Sequence, residues 1–153
     1  MYDLRLTQLV LGEPGAVYAA LLDPVAVASW RVPTDMTADV EEWEPREGGR
    51  FRVSLTYRAE DRAGKTEGGT DTYAGEFARL VPDEQVVERL AFETDEPALQ
   101  GSMTMTWSLR PADGGTEVEL LHEGIPDVVP PDDSETGTRM SLTKLAAYVE
   151  GAG

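Results

Sequence analysis

Between residues 38 and 122 the chain is a succession of short apolar–polar alternations, and a period of two sustained over that length commits it to antiparallel β-sheet. The clearest case follows the corner Glu44-Pro45-Arg46-Glu47-Gly48-Gly49, where Phe51, Val53, Leu55 and Tyr57 fall on one face of a strand. Segments 38–44, 50–59, 69–81, 85–94, 101–110 and 115–122 read as strands. Turn chemistry separates them: Gly48-Gly49, Ala63-Gly64-Lys65, Pro82-Asp83-Glu84, Asp95-Glu96-Pro97 and Asp113-Gly114-Gly115. Consecutive hairpins are the simplest topology for such a series.

The flanks carry other periods. Leu4, Leu6, Leu9 and Leu11 interleave imperfectly with polar residues, which suits a first strand with a bulge. Glu13-Pro14-Gly15 then opens a helical segment with Val17, Leu21 and Leu22 on one face, and Pro14 is tolerated in a first turn. Asp23 ends it and caps a second short helix, from Val25 to Trp30. After the acidic loop through Pro130-Pro131-Asp132-Asp133, Leu142, Leu145, Ala146 and Val149 mark a last helix from about Ser134 to Glu150. Sheets this long curl, so the expected class is α+β: a curved antiparallel sheet wrapped around a long C-terminal helix, with two short helices after the first strand. A cavity between helix and sheet is the expected ligand site.

These residues resemble the START-like (SRPBCC, helix-grip) superfamily, and within it bacterial relatives of the C-terminal domain of the heat-shock-protein-90 ATPase activator. The resemblance covers nearly the whole chain and rests on the order and spacing of several segments. They are Leu22-Asp23-Pro24 with Trp30 and Pro33, the Arg46 to Phe51 corner, Thr70-Asp71-Thr72-Tyr73, Leu80-Val81-Pro82, Gly101 to Thr106, Gly114 to Val118, His122-Glu123-Gly124-Ile125-Pro126 and Arg139-Met140-Ser141-Leu142. Where such relatives usually carry Gly-Trp before the last helix's apolar stripe, this chain has Gly137-Thr138. Without the indole, the cavity is expected to be larger or its mouth wider.

Composition narrows the partners. At 153 residues the chain is one domain, 1–153, with one core. A formal net charge of −16 is hostile to a phosphate backbone, so nucleic acid is excluded as a principal partner. No cysteine is present and His122 is the only histidine, so thiolate chemistry is excluded and neither a metal nor a cofactor is expected. No segment approaches the roughly 20 apolar residues of a membrane span, and no leader pattern precedes the first strand, so cytoplasmic residence without membrane insertion is the expectation. A homodimer is compatible with this reading.

Candidate site residues follow from strand parity. His122 follows Val118 and Leu120 at period two and points inward, to bond a ligand, to move a proton, or to hold the strand end as a buried structural group. Glu88 shares parity with Val86, Leu90 and Phe92, so it is either an inner-face carboxylate paired with His122 or, at a bulge, turned outward to Arg89. Tyr73 and Phe77 share a face across Gly75, and Asp71 falls toward a solvated strand end. Met103, Met105, Trp107 and Leu109 form an adaptable apolar stripe that serves a cavity or an ordinary core. Trp30 and Trp43 flank the loop from Arg31 to Asp39, lining a pocket entrance or anchoring that loop. The ligand-binding set is then Trp30, Phe51, Val53, Leu55, Tyr57, Tyr73, Phe77, Glu88, Leu90, Phe92, Met103, Met105, Trp107, His122, Thr138 and Leu142.

The expected function is binding of an apolar or lipid-like small molecule. An alternative implied by the resemblance is a polyketide cyclase-like or hydrolytic enzyme, with His122 moving a proton, Glu88 orienting it and Tyr73 polarising a carbonyl. A chaperone-associated stress-response role, with a chaperone as partner, is implied by the resemblance alone.

Overall fold

In the computed structural model, which describes residues 1–33, 36–57 and 70–152, seven strands form one antiparallel curved sheet closed by a long helix. The strands are β1 (Tyr2–Val10), β2 (Met36–Trp43), β3 (Arg50–Tyr57), β4 (Thr70–Val81), β5 (Gln85–Phe92), β6 (Met103–Ala112) and β7 (Gly115–Ile125). Helices α1 (Pro14–Leu22) and α2 (Pro24–Trp30) follow β1, a short 3-10 helix occupies Pro97–Leu99, and α3 (Pro131–Ala152) ends the described chain. The sheet order β1-β7-β6-β5-β4-β3-β2 is the expected run of hairpins, with β1 returning to pair with the last strand. The turn expected at Ala63-Gly64-Lys65, and the strand ends expected at 58–59 and 69, lie outside the described residues.

Local sequence accounts for most element ends. Prolines sit in the first turn of α1 and of α2, and the Asp23 carboxylate accepts from the Val25 N–H at 2.9 Å, the expected cap. The last helix begins at Pro131, three residues before the expected Ser134, because a proline at the first helical position needs no N–H partner. In β1 it is Leu6 and Val10 that are buried, while Leu9 and Leu11 are exposed. The pairing with β7 slips between Tyr2 and Leu4, so the expected bulge lies at the strand's start.

The Gly48-Gly49 corner is stitched to β4. Gly48 adopts φ +80°, a region that side chains disfavour, and a Cβ on Gly49 would lie 2.0 Å from the Glu44 carbonyl oxygen. The Gly48 N–H donates to the Phe77 carbonyl at 2.8 Å and the Phe77 N–H to Gly49 at 2.9 Å. Past Phe77 the β4–β5 register shifts, which bends β4 at the point where the corner grips it.

One core fills the concave side. Trp43, Phe51 and Phe77 make an aromatic cluster, with Trp43 edge-on to Phe77 at 5.1 Å. Trp30 stands edge-on to Trp107 at 5.4 Å. The Trp30 indole donates to the Ala20 carbonyl and ties α2 to α1, and the Trp43 indole donates to the Leu22 carbonyl and ties α1 to β2. Leu142, Leu145, Ala146 and Val149 of α3 complete the core. Among the described residues, no helix is long and apolar enough to cross a membrane.

The corner makes a direct prediction. Gly49→Ala is expected to lower stability by roughly 1–3 kcal/mol through forced displacement of the Glu44 carbonyl. Gly48→Ala, where nothing lies near the new Cβ, is expected to cost about 1–2 kcal/mol from backbone conformation alone. Urea unfolding of the two variants measures both, and wild-type midpoints would refute the assignment.

Candidate functional site

The apolar stripe of α3 changes character along its length. Its C-terminal half presents Leu142, Leu145, Ala146 and Val149, all buried in the core. One to two turns earlier the same face carries Ser134, Gly137, Thr138 and Ser141, which are too small to reach the sheet, and all four line a cavity of about 830 Å³. The sheet contributes Leu55 and Tyr57 from β3, Tyr73 from β4, Leu90 and Phe92 from β5, Met103, Met105 and Trp107 from β6, and Leu120 and His122 from β7. Exposed Glu96, Ala98, Val128 and Asp133 also line the cavity and set its mouth, whereas buried Tyr73, Leu90, Met103 and Trp107 set its inner end.

Ten of the sixteen expected ligand-binding residues therefore line the cavity: Leu55, Tyr57, Tyr73, Leu90, Phe92, Met103, Met105, Trp107, His122 and Thr138. Trp30, Phe51, Val53, Phe77 and Leu142 are instead buried beneath it as core. They share strand or helix faces with the lining residues, but the corner and the two short helices cover that part of the concave surface. Glu88 is also beneath the wall, and Asp71, expected at a solvated strand end, is 3% exposed and lines the cavity.

At the inner end lies a charged group that strand periodicity did not identify. Arg31, just past α2, is 9% exposed and its Nη1 donates to the Glu88 carboxylate at 2.8 Å. The other Glu88 oxygen accepts from the Trp107 indole at 3.1 Å, so this carboxylate, itself 1% exposed, is bonded at both oxygens. Arg31 Nη2 approaches the Met105 sulfur at 3.2 Å, and the guanidinium carbon lies 5.4 Å from the Tyr73 ring centre and 5.7 Å from that of Trp107. Burial alone would lower the Arg31 pKa, but the Glu88 carboxylate outweighs it and holds the guanidinium charged, above its ordinary range.

This arrangement corrects the pairing of Glu88 with His122. The two residues do share a row across the sheet, since Glu88 is opposite Met105 and Met105 is opposite His122. Arg31 descends onto that row and takes the carboxylate. His122 feels the guanidinium rather than the carboxylate: burial first, and then the Arg31 charge, lower its pKa to about 4, with Asp3 opposing weakly. The imidazole is neutral at pH 7, and its Nε2 is buried without a hydrogen-bond partner. The Tyr73 hydroxyl is likewise buried and unpartnered, with its pKa raised by burial against the lowering effect of Arg31. Among the described residues no group of acidic and histidine side chains could hold a metal ion.

Residues 13–150 match the family profile described as "Activator of Hsp90 ATPase homolog 1-like protein". A solved structure from Chromobacterium violaceum is 33% identical over 97% of both chains, with a TM-score of 0.87. Structures from Rhodobacter sphaeroides and of an AHSA1-like protein from Aeromonas hydrophila, 20% and 18% identical, share the fold at TM-scores of 0.81 and 0.76 over 99% of this chain and 94% of each of theirs. A search of curated proteins gave no match.

Two measurements probe the inner end. Removing either partner of the Arg31–Glu88 pair, as in Arg31→Met or Glu88→Leu, is expected to cost about 3–5 kcal/mol, because the other charge is left buried and unpaired. The double variant is expected to recover part of this, remaining short by roughly 1–3 kcal/mol for the Trp107 indole that loses its acceptor. Additive losses in a double-mutant cycle would contradict the coupling. Between pH about 6.5 and about 4 the unfolded chain binds a proton at His122 that the folded chain does not, so stability falls as pH falls through that window. The wild type is expected to lose up to ~3 kcal/mol more than His122→Gln across it. Equal pH slopes in the two proteins would show that His122 is not held neutral.

Proposed function

Because the chain belongs to the family of proteins like the activator of Hsp90 ATPase homolog 1, within the START-like superfamily, we propose that it is a container for a small apolar molecule held between the sheet and the N-terminal half of α3. The observation that carries this reading is the cavity itself. At about 830 Å³ it falls in the range of small-molecule sites, its sheet-side wall is mostly Leu, Met and aromatic residues, and a few polar groups lie at its inner end. Three methionines of the lining, Met36, Met103 and Met105, suit a ligand whose apolar shape varies.

A proton-transfer enzyme using His122 is the weaker reading. Both oxygens of the Glu88 carboxylate are already bonded, to Arg31 and to Trp107, so Glu88 does not orient the imidazole as that mechanism requires. Association with a chaperone follows only from the family's description, whereas the cavity is a feature of this chain's own residues.

The container reading is tested by displacement of an apolar fluorescent dye and by native mass spectrometry of gently purified protein. Thr138→Trp, which places an indole where the family resemblance expects one, should fill part of the cavity and weaken dye binding about tenfold or more, with the unfolding midpoint unchanged or raised. Failure of the wild type to bind any apolar probe, or unaltered binding by Thr138→Trp, would refute it.

A further inference from the structure

The inner end of the cavity selects the head of its ligand, an inference that rests on the container reading above. Buried hydroxyl and imidazole groups are ordinarily bonded, and leaving one without a partner is costly. Here the Tyr73 hydroxyl, on a residue 7% exposed, and His122 Nε2 both lack one, and both residues line the same cavity. Arg31 lies between them: its guanidinium packs over the Tyr73 ring and contacts the sulfur of Met105, which is directly opposite His122 in the sheet.

The charges around this point oppose an anion. Among the described lining residues Arg31 is the only permanent cation, and Glu88 already neutralises it at 2.8 Å. The imidazole carries no charge at pH 7. Asp71 on the wall and Glu96 and Asp133 at the mouth are acidic, and the whole chain carries −16. A carboxylate entering here would lose its water, meet no uncompensated cation and pass two acids on the way in.

We propose that the cavity takes an uncharged amphipathic molecule head first, with a hydroxyl or ketone oxygen bonded by Tyr73 and His122 and a hydrocarbon body extending toward Leu99 and Val128 at the mouth. Tyrosine donates its O–H to such an oxygen. The neutral imidazole serves either case, accepting from a hydroxyl through Nε2 or, in its other tautomer, donating to a ketone.

The experiment compares 1-decanol, 2-decanone, decane and decanoate as competitors for a cavity-bound apolar dye, at about pH 7.5 where the carboxylate is ionised. The alcohol and the ketone are expected to compete about tenfold better than decane or decanoate, the discrimination of one or two buried hydrogen bonds. Tyr73→Phe, checked for native circular dichroism, should reduce the preference of alcohol and ketone over decane several-fold. Decanoate binding as well as or better than the alcohol would overturn the exclusion of charge, and decane matching the alcohol would overturn head recognition; in both cases the container stands. If the dye and all four competitors fail to bind, the container reading falls and this inference with it.

Discussion

A single buried ion pair organises the inner end of this fold. The Arg31 guanidinium and the Glu88 carboxylate are each taken out of water, and each is tolerable there only because of the other and of the indole that completes the carboxylate's bonding. Around that pair α2 meets the sheet, with Arg31 packed between the rings of Tyr73 and Trp107 and against Met105. The positions of three strands relative to the short helices are therefore coupled through one planar cation. Burial, and after it the same charge, lowers the pKa of His122, so the imidazole lining the cavity is neutral at pH 7.

Above this floor, the cavity exists because one helix does two jobs along one stripe. In the C-terminal half of α3 leucine and valine reach the sheet and exclude water; in the N-terminal half serine, threonine and glycine on the same face do not reach it. A helix is stiff, so it cannot settle inward over its first turns without lifting its packed end off the core. Side bonds hold it in that position: Arg139 donates to the Thr7 carbonyl on β1, and the Lys144 ammonium donates to the Val32 carbonyl just after α2.

The fold was legible because its information is local and periodic. Alternation placed the strands to within a few residues, Asp23 and the prolines placed the two short helices, and the glycine corner proved to be a close backbone crossing with Phe77. Leu9 is exposed although apolar, because the register against the partner strand decides which parity of β1 is buried. The site was legible by face but not by depth. Phe51 and Met105 both point to the concave side, yet one is sealed within the aromatic cluster and the other is open to the cavity. Asp71 failed for a related reason, since its place in the strand says nothing about what covers it.

By itself the sequence determined the α+β class, the order of the strands and most of their inward faces, because each depends on residue type and on spacing along the chain. Only the tertiary structure decided that Arg31, in an irregular segment without periodicity, takes the carboxylate that strand parity had offered to His122. It also decided that Tyr73 and His122 meet one cavity with polar atoms to spare. Those facts depend on residues brought together from α2, β4, β5, β6 and β7, and the physical competition among them for one buried negative charge has no signature in any single stretch of chain.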